Sequence, residues 1–230
     1  MPVNGLISMV SMGLLKTRNL KGFRGFTLAE VLITLVIIGV IAAMTIPTLM
    51  NNTNKQELVS RLKKAYSTLA QATNKVIAEE GSPRGDIGGW ATSAEAVYNI
   101  YKKYLPNIKD CGLGSGGCFT GTYKRLNNTS ASYDSTSSKY AFILADGTEV
   151  MISTGSIYLD CNNAEKSCAS FLVDVNGAKG PNYIGYDAFG FDITENGLAP
   201  SGCNTDGCRK GVDIGWSCAC KVLREGAINY

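Results

Sequence analysis

A chain of 230 residues with 22 basic and 19 acidic side chains has a formal net charge of +3, and it contains no histidine. The missing histidine removes Ser-His-Asp and Cys-His catalysis along with the commonest metal-ligating side chain. Nothing in charges this evenly divided argues for a nucleic-acid surface, which needs clustered Lys and Arg.

In chain order, Lys16, Arg18, Lys21 and Arg24 come first, and no acidic residue precedes Glu30. Gly25-Phe26-Thr27-Leu28-Ala29 and Glu30 then open an apolar run that continues almost unbroken to Met50. Leu28 to Met50 reaches the ~20 residues a helix needs to span a bilayer. Basic residues before the span keep that side cytoplasmic and send the chain beyond Met50 outward. A secretory signal has a shorter apolar core and a small-residue cleavage site after it, and neither is present. A plain single-pass anchor would hold Glu30 at the headgroup level, whereas an ionisable group at the mouth of a membrane helix otherwise needs a partner or a purpose. In a helical bundle its carboxylate would pair with a cationic group of a neighbouring helix, favouring register more than raw stability. Pro47 removes one helical donor, so a kink or local melting is expected near Ala43. Gly39, Ala42 and Ala43 offer a small-residue face for close helix packing.

Lys21-Gly22-Phe23-Arg24-Gly25-Phe26-Thr27-Leu28-Ala29-Glu30-Val31-Leu32-Ile33 resembles the cleavage and methylation motif of type IV prepilins and type II secretion pseudopilins. The resemblance covers residues 21–50 and extends more weakly to about Glu80. A second segment, Val173 to Asn182, is similar to one in pseudopilin-like heads. The resemblance implies that a prepilin peptidase cuts after Gly25 and methylates the new terminus at Phe26, with Glu30 and Pro47 serving assembly. It implies no cofactor and no enzymatic activity. Its implied partners are pilin-like subunits, the peptidase, an inner-membrane platform protein, an assembly ATPase and membrane lipid. It places the chain in the bacterial inner membrane as a single pass with an exported head, and later in an extracellular or periplasmic filament. A minor-pilin-like head that binds DNA, a host surface or a secreted substrate is the alternative. Met9 or Met12 would serve as the start without moving the cleavage site. Losing the four leader charges leaves 18 basic against 19 acidic residues, a net charge of −1.

Beyond Asn51, the residues Leu58, Leu62, Ala65, Leu69, Thr73 and Val76 recur at helical spacing and need a partner surface. Asn54 with Glu57 would cap a restarted helix, and an unbroken helix fits equally well. Glu79-Glu80-Gly81-Ser82-Pro83 ends it. Thr92 with Glu95 caps a second helix carrying Val97, Ile100, Tyr101, Tyr104 and Leu105, stopped by Pro106. Residues 107–138 read as irregular. Tyr140 to Ala145, Asp146-Gly147 and Glu149 to Ile152 form a hairpin, with further strands at Ile157–Leu159, Phe171–Val175 and Phe189–Ile193. The pattern predicts an α+β, pilin-like fold with a long, partly transmembrane N-terminal helix on a small antiparallel sheet. The predicted boundaries are 1–25 leader, 26–50 membrane part, 51–82 amphipathic part and 83–230 cysteine-rich head.

All eight cysteines, Cys111, Cys118, Cys161, Cys168, Cys203, Cys208, Cys218 and Cys220, lie in the predicted exported portion. An even number there reads as disulfides. Short separations favour Cys111–Cys118, Cys161–Cys168 and Cys203–Cys208, with distant partners for Cys218 and Cys220. Zinc is the weaker reading, since there is no Cys-x2-Cys and no histidine. Asp174-Val175-Asn176-Gly177 opens like a calcium loop but lacks its later glycine and glutamate, so an Asx-turn at Asn176-Gly177 accounts for it and no metal is assigned. The glycine cluster Gly112 to Gly117 lacks the Lys-Ser/Thr ending of a phosphate loop. Tyr123, Tyr133, Tyr158, Tyr183, Tyr186 and Tyr230 are candidates for an interaction surface.

Overall fold

The structure is a computed structural model that describes residues 25–105, 108–114, 117–120, 122–132, 139–205 and 207–230. The basic leader through Arg24, the Pro106 stop, Ser115 and Gly116 of the glycine cluster, and Tyr133 lie outside the described residues. The chain divides into two compact units, one ending at Thr48 and one running from Leu49 to Tyr230.

Helix α1 is assigned as one element, Leu28–Glu80, with Pro47 inside it. Ala43 is helical, so no melting occurs there. Nor does the helix restart at Asn54, because Glu57 instead pairs with Arg61 one turn on, at 2.8 Å. The stripe Leu58, Leu62, Ala65, Leu69, Thr73 and Val76 is buried, as its period requires. The helix stops at Gly81, whose left-handed φ of 83° suits glycine and whose N–H bonds Ile77 O at 3.1 Å.

Helix α2 spans Ala94–Tyr104. Its cap is Ser93 rather than the expected Thr92, with Ser93 Oγ accepting the Ala96 N–H at 3.1 Å. Tyr101 is buried beneath Thr73, hydroxyl to hydroxyl, and meets Phe171 edge-on with ring centroids 4.9 Å apart. Tyr66 of α1 stacks on Phe191 at 5.7 Å.

Among the described residues, nine strands come after α2: β1 Lys109–Leu113, β2 Thr122–Arg125, β3 Ser130–Ser132, β4 Lys139–Ile143, β5 Glu149–Ile157, β6 Ser167–Asp174, β7 Tyr183–Ile184, β8 Ala188–Thr194 and β9 Gly197–Pro200. They form one sheet in the order β1-β4-β5-β6-β8-β7-β2-β3, with β9 beside β8. The expected small antiparallel sheet is therefore corrected. It has nine strands and is mixed, because the two-residue β7 pairs parallel to both β2 and β8. The hairpin predicted at Asp146-Gly147 is β4–β5, with Phe142 opposite Val150. The stretch 107–138 is not wholly irregular, since β1, β2 and β3 fall within it.

Every residue of β6 is buried, because both faces of the sheet are covered. Ala169, Phe171 and Val173 face the core shared with α1 and α2. Leu172 faces a second cluster with Phe119, Tyr123, Ala131 and Ile184. Gly190 of β8 leaves room for Trp216, since a Cβ there would stand 2.6 Å from the indole nitrogen.

In the tail, helix α3 spans Ala219–Glu225 and ends at Gly226. The disulfides are Cys111–Cys118, Cys161–Cys168, Cys203–Cys220 and Cys208–Cys218. The local Cys203–Cys208 pairing is corrected: α3 carries Cys220 back to Cys203, which frees Cys208 for Cys218.

Candidate functional site

Gly25, Phe26 and Thr27 lead directly into α1. Thr27 is the residue that composition alone passed over. Its N–H and its hydroxyl both donate to Glu30 Oε2, at 2.8 and 2.7 Å, and its Oγ1 accepts the Glu30 N–H at 3.2 Å. This is a reciprocal capping box, which satisfies helical N–H groups that otherwise have no partner. The Thr-x-x-Glu spacing was its sequence signal. Glu30 is thus held by its own chain at the helix mouth, where a carboxylate also suits the positive end of the helix dipole.

Phe26 is 87 % exposed, and each large apolar side chain from Leu28 to Met50 is at least 42 % exposed. Their side-chain hydroxyl neighbours hide their own polarity, with Thr34 bonding Val31 O at 2.9 Å and Thr45 bonding Ile41 O at 3.0 Å. Among the described residues, one helix is long and apolar enough to cross a membrane. The surface it leaves uncovered must be met by lipid or by other helices. Pro47 lies seventeen positions beyond Glu30 on this helix, and a Cβ on Gly39 would meet nothing within 4 Å.

A second polar centre sits in the head. Asp174 Oδ2 accepts the Tyr123 hydroxyl at 2.6 Å, and Oδ1 accepts the N–H groups of Asn176 at 3.1 Å and Gly177 at 2.8 Å. The expected turn is therefore made by the Asp174 side chain, two residues earlier than Asn176. Asn176 Nδ2 donates onward to Lys179 O at 2.7 Å. Asp187 accepts the N–H groups of Asn182 at 2.7 Å and Tyr183 at 2.6 Å. Burial first, then the charge of Asp187, pushes the Asp174 carboxyl up to about 7, and burial pushes Asp187 up to about 6. Among the described residues no group of three or more Cys, Asp or Glu side chains is placed to hold a metal ion.

The helix mouth, its capped glutamate and its uncovered apolar surface fit a membrane anchor, and the motif at its head supports a type IV pilin-like precursor. Residues 20–46 match the prokaryotic N-terminal methylation motif, which is the type IV prepilin signature. Residues 48–210 match the Family of unknown function (DUF6613), and the chain belongs to that family. No solved structure matches the chain.

Proposed function

We propose that the chain is the precursor of a structural subunit of a type IV pilus or a type II secretion pseudopilus. The observation that carries this reading is the match of residues 20–46 to the methylation motif, at the head of a helix with an uncovered apolar surface. In this reading residues 1–25 are a cytoplasmic leader, 26–50 cross the bacterial inner membrane, 51–82 carry the head, and 83–230 complete it outside. Prepilin peptidase removes the leader, and a platform protein and an ATPase drive assembly. Within a filament, Glu30 leaves its cap to meet the Phe26 amine of a neighbouring subunit. A charge pair in low dielectric recovers only part of its desolvation cost, so its gain is register. The disulfides fit an oxidising compartment. A surface-binding head is a second reading, favoured by Val212 and Ile214, which are 60 % and 52 % exposed between Cys208 and Cys218.

Intact-mass analysis of protein from native membranes tests the first reading. The mature chain should begin at Phe26 and carry one added methyl group. A chain that keeps Lys21 to Gly25 in cells with an active prepilin peptidase would sink it.

A further inference from the structure

The first turns of α1 after Met50 carry two segments of the head. Asn51, Asn54 and Glu57 line a groove of about 410 Å³ with Lys179, Pro181 and Tyr186. Pro181 and Tyr186 also line an adjoining cleft of about 310 Å³, together with Tyr183, Lys210 and Tyr230. The two hollows thus form one continuous surface. It is held rigidly to the helix: Lys55 Nζ donates to Ile228 O at 3.1 Å, the Tyr230 hydroxyl donates to Gly185 O, and Asp187 anchors Asn182 and Tyr183.

The chemistry of this surface repeats one pairing. Lys55 lies over the Tyr186 ring at 5.9 Å, Lys124 over Tyr183 at 5.6 Å and Lys221 over Tyr230 at 5.7 Å. Lys179 and Lys210 are exposed beside them. Among the described residues none of these five lysines forms an ion pair. Three acids stand near the surface, and one of them, Glu225, is left to offset the five lysines. Glu57 is taken by Arg61, Asp187 is buried under backbone N–H groups, and Glu225 stands exposed near Tyr230. The groove opens at Asn51, and Asn54 comes only about 6 Å along the helix from Met50 at 1.5 Å per residue. Tyrosine rings favour the boundary between hydrocarbon and water, and lysines beside a membrane are drawn to anionic headgroups.

We propose that this tyrosine–lysine surface docks the head of the membrane-held subunit onto anionic phospholipid headgroups, a role that rests on the membrane anchor of the proposed function. Tyr183 and Tyr186 enter the interfacial layer, and Lys124, Lys179, Lys210 and Lys221 meet the phosphates. Docking holds the stored subunit, and it must be released before the subunit joins a filament.

The test uses the full chain, one copy per nanodisc, in phosphatidylcholine alone or with one third phosphatidylglycerol. Amide hydrogen exchange is read over residues 179–186 and 226–230. Phosphatidylglycerol should slow exchange there, high salt should reverse the effect, and K179E/K210E, a change of four charge units, should weaken it by at least the roughly fivefold expected for each lysine lost. Unchanged exchange in β6 of the variant shows that its fold is intact. Equal exchange in the two lipids, persistence of protection in K179E/K210E, or protection that appears only with two chains per disc would each overturn the proposal. A chain that fails to co-elute with the discs would overturn the membrane anchor itself, and the docking with it.

Discussion

Asp174 shows how a residue buried for structural reasons becomes sensitive to pH. Its carboxylate accepts a hydroxyl and two backbone N–H groups, which favour ionisation, yet burial and the neighbouring Asp187 outweigh them. Asp174 is pushed up to about 7 and Asp187 to about 6, above the ordinary 3.8 of an unfolded aspartate. A raised carboxyl makes the folded state hold protons that the unfolded chain releases. The resulting stability is complete below the unfolded value and is lost as pH rises through the folded one. Lowered acids such as Asp146, held by Lys64, and Asp213, held by Arg209, act in the opposite sense and only at more acidic pH. The head should therefore gain stability on acidification from about pH 7.5 to about pH 4.5, by an amount on the order of a few kcal/mol. Thermal unfolding in detergent, followed by near-ultraviolet circular dichroism, measures this. Asp174→Asn keeps an acceptor for the turn and a polar partner for Tyr123, and it should flatten the profile. A wild-type profile already flat across that window would place the ionised pair in a better-solvated site than this one.

At the level of elements, the tail shows how far local spacing reaches. Cys203 and Cys208 are close in sequence, but α3 presents Cys220 to Cys203, and the turn at Trp216–Cys218 presents Cys218 to Cys208. Cleavage before Asp206 under non-reducing conditions, with fragmentation between Cys218 and Cys220, should recover Cys203–Cys220 and Cys208–Cys218. Recovery of a Cys203–Cys208 bridge would overturn this pairing. The double variant C208S/C218S should lose about 2–4 kcal/mol of stability. The elements legible in the sequence had strong periodicity or long apolar runs. The α1 stripe from Leu58 to Val76, the β4–β5 hairpin, and the Phe171–Val175 and Phe189–Ile193 runs along β6 and β8 all belong to this group. Those missed had neither. β1 carries Lys109, Asp110 and Gly112, and β7 is two residues long and exists through its neighbours. Ala219 to Glu225 has good helix formers, but seven residues among cysteines and glycines carry no apolar periodicity that would mark a helix. At the helix mouth the glutamate was legible by its charge in an apolar run, while its partner Thr27 needed the spacing rule for capping.

For the whole molecule, the central question is which partner Glu30 has in a filament. Glu30→Ala leaves α1 apolar and long enough to insert, and it removes a charge that membrane disfavours. It also breaks the capping box, worth about 1 kcal/mol to a helix end. Loss of filaments in this variant alone would therefore not separate pairing from capping. Thr27→Val narrows the choice, because it removes the hydroxyl half of the capping box while the residue 27 N–H still donates to Glu30 and the carboxylate remains available to a neighbouring Phe26 amine. Filaments sheared from cells and measured against membrane-inserted subunit should fall strongly for Glu30→Ala and remain near the wild-type yield for Thr27→Val. Intact mass in the same samples must show cleavage after Gly25 in both, since unprocessed precursor would lose filaments by another route. Equal losses in the two variants would assign Glu30 to the cap, and a normal yield from Glu30→Ala would leave it with no part in assembly.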